Sequence, residues 1–254
     1  QHINRMGFLE KIIVTPSHHR VHHAINPEYL DKNYGQIFIF WDKWFGTYQE
    51  ELADKPPVYG ITRPVQTWNP IKINFMHLWL MIKDAARTKN WNDKFRIWIM
   101  PTGWRPADVA EKFPVHKIND VFHMEKYDTK ASPSLHVWSW VQITMTLLFI
   151  SYLFGNIAPI NVLNASYIYV YGLFVFMSVY AYTELMDRNK YAIVWELIKN
   201  SLGIAIILQT GDWFGATALS PFIKYGVGTY FLLSTIVTLW FVMKHAKEDE
   251  RVMV

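Results

Sequence analysis

The stretch "VWSWVQITMTLLFISYLFGNIA", residues 137–158, contains no charged side chain. As a helix rising about 1.5 Å per residue, it covers the roughly 30 Å hydrocarbon layer of a bilayer. Three further apolar stretches follow at residues 163–183, 191–210 and 225–243. The sequence therefore predicts a mainly α-helical integral membrane protein with about four transmembrane helices at its C-terminal end.

The distribution of lysine and arginine predicts the orientation of these spans. The connection between the second and third spans and the tail after the fourth are basic, whereas the other two connections offer only Lys224. Because basic loops stay in the cytoplasm, both ends of the chain are expected there. The membrane would be either the inner membrane of a bacterium or that of the endoplasmic reticulum, and both chain ends would lie on its cytoplasmic side.

Two charged residues, Glu196 and Lys199, lie inside the third span at a spacing of three. They are either an intramembrane polar site or a pair near the helix end that neutralises itself and reaches the interface. We expect the second arrangement.

The N-terminal half has the composition of a soluble protein. We predict three regions: the C-terminal part of a histidine-rich domain at residues 1–60, cytosolic or interfacial helices and a linker at 61–134, and the transmembrane region at 135–254.

Residues 69–87 have the apolar spacing of an amphipathic helix that lies on a membrane surface, and residues 91–100 resemble a second one. "QIFIFW", residues 36–41, fits either a strand or a helical turn. No run of like charges indicates nucleic-acid binding.

The chain contains no cysteine. This excludes disulfides, thiolate ligands, iron–sulfur clusters and covalently attached haem. Any metal ion must be held by nitrogen and oxygen.

Four histidines stand in "TPSHHRVHH", residues 15–23. Thr15 followed by Pro16 is a typical helix start, and we expect a helix from residue 16 to about 25. His19, His22 and His23 then stand at i, i+3 and i+4, and His18 pairs with His22, so that all four share one face. Neutral imidazoles bind iron, zinc, copper or nickel, whereas the alternative is a solvated polar face.

One helix cannot complete a centre of two metal ions, which needs on the order of eight ligands. The nearest further candidate is His2.

The segment "HRVHH", residues 19–23, resembles the last HxxHH histidine box of the fatty acid hydroxylase and sterol desaturase superfamily. "NYG" at residues 33–35 and "WDKWFGT" at 41–47 resemble the segment that follows that box. "VYGITRPVQTWNPIKINF", residues 58–75, extends the similarity, which is greatest to the alkylglycerol monooxygenase branch.

The resemblance implies a membrane-bound, non-haem di-iron oxygenase that hydroxylates lipid with O2. Its similarity to the alkylglycerol branch extends this reaction to the cleavage of ether lipids. It implies metal-ligand roles for His19, His22 and His23. His2 resembles an isolated histidine that precedes the box in the family, and His18 is common in the motif. The electron donor would be tetrahydrobiopterin, as in the alkylglycerol branch, or a carrier similar to cytochrome b5.

Two alternatives remain open: a sterol or fatty acid desaturase or hydroxylase of the same superfamily, and a membrane metal-binding protein without catalytic activity. The family's earlier histidine boxes have no match in this sequence. We therefore expect the chain to be the C-terminal part of a longer enzyme, and residues 1–254 alone to be inactive towards lipid.

Overall fold

The computed structural model describes residues 3, 5–118 and 120–252. These residues are mainly helical and contain no β-strand, only two isolated bridges, Ile13 with Phe38 and Ala24 with Tyr59. The chain divides into two compact units. The first comprises Gln1–Gln66 and Met81–Tyr127, and the second comprises Thr67–Leu80 and Asp128–Val254.

The first unit consists of short helices joined by long loops. After a 3-10 turn at Gly7–Lys11, its helices are α1 (Pro16–His22), α2 (Phe40–Phe45), α4 (Trp91–Arg96) and α5 (Ala107–Lys112). Helix α3 (Pro70–Arg87) begins in the second unit and ends in the first. A largely buried ion pair joins α3 to the loop before α5, since Arg105 Nε lies 2.6 Å from Asp84 Oδ2.

The described residues of the second unit include four helices that are long and apolar enough to cross a membrane, which confirms the predicted architecture. They are α6 (Pro133–Gly155), α8 (Tyr167–Met186), α9 (Ala192–Thr210) and α10 (Ile223–Val252), with the short α7 (Ile157–Leu163) after the break at Asn156. Packed rings form the centre of this bundle, among them Phe149, Tyr171, Phe174, Trp213 and Phe231.

Three local predictions need correction. Helix α1 ends at His22 rather than near residue 25, because Ala24 leaves the helix to pair with Tyr59. Helix α4 ends at Arg96, well before residue 100. In "QIFIFW" Phe38 forms a bridge and α2 begins at Phe40, so this stretch is neither a full strand nor one helical turn.

The expectation that Glu196 and Lys199 reach the membrane interface is wrong. Each side chain is only 1% exposed, and Lys199 Nζ donates to Glu196 Oε1 at 2.8 Å. The amide of Asn200 lies 3.0 Å from the same carboxylate oxygen and 3.0 Å from Ser234 Oγ on α10. The pair stays inside the bundle because α10 presents polar partners to this face of α9.

We expect Lys199→Met to destabilise the bundle strongly, because it leaves the Glu196 carboxylate buried without its cation. Removing one partner of a buried ion pair costs roughly 3–5 kcal/mol, whereas replacing both with apolar or neutral groups costs far less. Thermal unfolding of the detergent-solubilised chain, followed by tryptophan fluorescence, should show a large fall in Tm for the single variant. The double variant Glu196→Gln/Lys199→Met should recover most of that loss; equal losses would contradict the argument.

Candidate functional site

The first histidine of the cluster, His18, belongs to the start of α1 and not to its exposed face. The Thr15 backbone N–H donates to His18 Nδ1 at 3.2 Å, which makes His18 the reciprocal partner in the helix cap. Its ring is 1% exposed and packs edge-on against Tyr48, with 5.7 Å between the ring centroids. The expectation that all four histidines share one face is therefore wrong for His18.

The other three histidines, His19, His22 and His23, are exposed and form a compact group, which we call the imidazole face. Their ring centroids lie between 4.5 and 6.1 Å apart. His19 Nε2 and His23 Nε2 approach to 3.1 Å. The remaining candidate, His2, lies outside the described residues.

His22 has one ring nitrogen fixed by the backbone. Its Nδ1 lies 3.2 Å from the carbonyl oxygen of Lys32, which can only accept a hydrogen bond. The proton of a neutral His22 ring is therefore on Nδ1, and Nε2 keeps its lone pair free. This is the arrangement that orients histidine ligands in metalloproteins.

The distance between His19 Nε2 and His23 Nε2 fits two ligands of one metal ion. Two imidazole nitrogens that each lie about 2.0–2.1 Å from one ion, with an angle between a right angle and the tetrahedral angle at that ion, are roughly 2.8–3.4 Å apart. Burial lowers the pKa of His19, and its neighbours His23 and His22 lower it further. These effects favour the neutral ring, which is the form that binds metal.

The imidazole face is not a complete metal site. Within the described ranges, no three histidine, aspartate or glutamate side chains are grouped so that they could hold an ion by themselves. The three rings can therefore supply only part of a coordination shell.

Two sets of polar contacts hold α1 against the loops that follow it. Asn33 Nδ2 donates to the carbonyl oxygens of His18 at 3.2 Å and Gln49 at 2.7 Å. The Arg20 guanidinium, also on α1, binds Glu51 through two nitrogens, with distances of 2.5 and 3.0 Å to Oε2. Both contacts fix the direction in which the imidazoles project.

Asp42 organises the loop that carries Asn33. Its carboxylate accepts hydrogen bonds from the backbone N–H groups of Tyr34 at 2.6 Å and Gly35 at 2.8 Å, and from the Thr47 hydroxyl at 2.6 Å. A side chain at residue 35 would not fit, because a Cβ there would lie 2.5 Å from the Phe38 carbonyl oxygen. The sequence pattern indicates a turn at Asn33, but it gives Asp42 no role beyond its place in the quoted motif.

A groove of about 590 Å³ runs beside His19 and His23. Its other wall carries Tyr59 and Ile61, which are 49% and 51% exposed. The Ile25 N–H donates to the Val58 carbonyl oxygen at 2.8 Å, and this pairing places the wall beside the end of α1. The groove therefore joins an apolar surface to two candidate ligands.

Comparison with known proteins gives relatives for this chain. The fatty acid hydroxylase family model matches residues 1–47. Alkylglycerol monooxygenase from Homo sapiens is 31% identical over 201 residues, which cover 78% of this chain and 43% of that protein. Its Caenorhabditis elegans counterpart is 33% identical over 166 residues, covering 60% and 33%.

A Delta(7)-sterol 5(6)-desaturase from Gibberella zeae is 32% identical over 59 residues, 23% of this chain and 17% of that protein. The chain thus spans less than half the length of these relatives. No solved structure matches it.

We expect Asp42→Ala to loosen the loop that supports α1, because two backbone N–H groups and one hydroxyl lose their acceptor. Amide hydrogen exchange of a peptide containing Tyr34 and Gly35 should accelerate at least about tenfold, the factor that corresponds to roughly 1.4 kcal/mol. Asp54→Ala, which removes an exposed carboxylate from the same unit, is the control and should leave the exchange unchanged. Unchanged exchange in Asp42→Ala would show that the carboxylate does not hold the loop.

Proposed function

Because the chain belongs to the fatty acid hydroxylase and sterol desaturase superfamily, in its alkylglycerol monooxygenase branch, we propose that it forms one wall of the iron centre of a membrane-bound lipid monooxygenase. The observation that carries this proposal is the 3.1 Å approach of His19 Nε2 to His23 Nε2 on an exposed face. This spacing allows both nitrogens to bind the same ion once neither carries a proton on Nε2.

In this proposal His19, His22 and His23 are metal ligands through their Nε2 atoms. His18 orients the helix instead, because its Nδ1 accepts the Thr15 hydrogen bond and its ring is buried. His2 remains a candidate ligand. A di-iron centre needs on the order of eight ligands, so other groups must supply the rest.

Bound iron would activate O2, the oxidant, for reaction with an unactivated C–H bond. The residues of this chain have simpler tasks. The imidazoles hold their lone pairs in fixed directions, since α1 is fixed by Asn33 and Arg20. Tyr59 and Ile61 give the adjoining groove an apolar wall, which can hold a lipid chain and exclude water.

The relatives named alkylglycerol monooxygenase favour an ether lipid as substrate. Tetrahydrobiopterin is then the proposed electron donor, and a carrier similar to cytochrome b5 is the alternative. The second candidate function is desaturation or hydroxylation of a sterol or fatty acid by an enzyme of the same superfamily. The short match to a sterol desaturase supports it.

The chain is an integral membrane protein by its four long apolar helices. We propose that the imidazole face is cytoplasmic, because the basic residues of the span connections lie predominantly on the side of both chain ends.

We expect His23→Ala to weaken binding of Fe2+ to the purified chain at least about tenfold, because it removes one of two nitrogens that face each other. Anaerobic calorimetric titration in lipid nanodiscs measures the affinity. His116→Ala is the matched control, since His116 is an exposed histidine of the same unit. The proposal is wrong if both variants bind Fe2+ as the unaltered chain does, or if both lose affinity equally.

The orientation can be tested by single cysteines, because the chain has none of its own. With the chain expressed in bacterial spheroplasts, a membrane-impermeant maleimide should label Leu219→Cys, in the loop between α9 and α10, without lysis. Lys247→Cys, near the end of α10, should react only after lysis. The reverse pattern would place the imidazole face on the outer side.

A further inference from the structure

An exposed group of aromatic rings lies on and beside α2. Phe38, Phe40, Trp41, Trp44 and Phe45 form a continuous set of ring contacts, with centroid distances from 4.9 to 6.4 Å. We call this set the aromatic surface. None of its rings takes part in the imidazole face or in the groove beside it.

The fold directs these rings outwards. Asp42 occupies the buried side of α2, where its carboxylate binds the Tyr34 and Gly35 N–H groups. Trp44 and Phe45, in contrast, are 71% and 76% exposed. Gly46, with φ of 74°, ends the helix directly after Phe45. Contiguous exposed rings of this kind mark a surface that binds another phase or molecule.

The charges beside the aromatic surface are basic. Lys43 lies within α2, and its Nζ is 3.4 Å from the backbone carbonyl oxygen of Lys11 and 4.9 Å from the centroid of the Tyr48 ring. Among the described residues, neither lysine forms an ion pair with a carboxylate. Asp42 is buried, and Glu10 is turned towards the start of α1, where it accepts hydrogen bonds from Thr15 and Ser17.

We propose that the aromatic surface docks the histidine-bearing unit on the headgroup region of an anionic lipid bilayer. Tryptophan and phenylalanine beside lysine are the side chains that interfacial segments carry, because the rings enter the boundary of the acyl chains and the ammonium groups meet lipid phosphates. The exposed rings suit the apolar boundary of the bilayer. The two lysines, which form no ion pair among the described residues, suit its negatively charged headgroups. This inference goes beyond the proposed function, since it does not depend on metal binding.

The absence of cysteine allows a direct measurement of depth. A nitroxide label is attached to Ile37→Cys or to Phe45→Cys in the whole chain, reconstituted in nanodiscs that contain phosphatidylserine. Ile37 is 66% exposed and its replacement keeps all five rings. Collisions of the label with O2, which concentrates in lipid, are compared with collisions with a water-soluble nickel chelate. Asp54→Cys, an exposed position of the same unit, is the control.

We expect the labels at residues 37 and 45 to favour O2 over the chelate and to report a depth of roughly 5–10 Å, whereas the label at residue 54 favours the chelate. Nanodiscs of phosphatidylcholine alone, or Lys11→Gln/Lys43→Gln in either labelled chain, should move both labels towards water.

Two outcomes would overturn the proposal. Access of the chelate to residues 37 and 45 equal to that at residue 54 would mean a solvated surface. Labels that are immobile and shielded from both reagents would mean that protein covers the rings.

Discussion

Helix α1 has only seven residues, whereas an isolated helix needs roughly 12–15 to persist in water. The direction of its imidazoles therefore depends on contacts with the loops around it. Asn33 binds the carbonyl oxygen of His18, and Glu51 binds Arg20. Asp42 in turn holds the loop that carries Asn33. Without this chain of charge-assisted and buried hydrogen bonds, three adjacent histidines would be a flexible polar segment rather than a set of oriented donors.

The membrane-spanning unit follows a different constraint. Where no water reaches, a polar group must find its partner inside the bundle. Glu196, Lys199 and the amide nitrogen of Asn200 meet this requirement together with Ser234 on the neighbouring helix. The resulting contacts are specific to one register of α9 against α10. A bundle of apolar rings alone would define that register less sharply, since many sliding positions bury similar area.

The sequence predicts the parts of this structure that depend on local composition. The four spans follow from apolar length, and the start of α1 follows from Thr15 and Pro16, because these signals act within a few residues. The errors have non-local causes. Helix α1 ends early because Ala24 pairs with the distant Tyr59. The Glu196–Lys199 pair stays buried because Asn200 donates to Glu196 and itself contacts Ser234 of α10. His18 lies outside the imidazole face because its ring turns back to Thr15. Helical spacing alone does not predict this orientation. The resemblance included the motif around Asp42 but gave no physical role to its carboxylate.

The central claim is that His19, His22 and His23 form a metal-binding face and that His18 does not take part. Anomalous diffraction at the iron absorption edge, from crystals of the chain soaked anaerobically with Fe2+, tests it most directly. We predict an anomalous peak at roughly 2.0–2.2 Å from Nε2 of both His19 and His23, with the Nδ1 of His22 still bound to the Lys32 carbonyl. A peak beside His18, or iron bound only at sites away from α1, would contradict the claim.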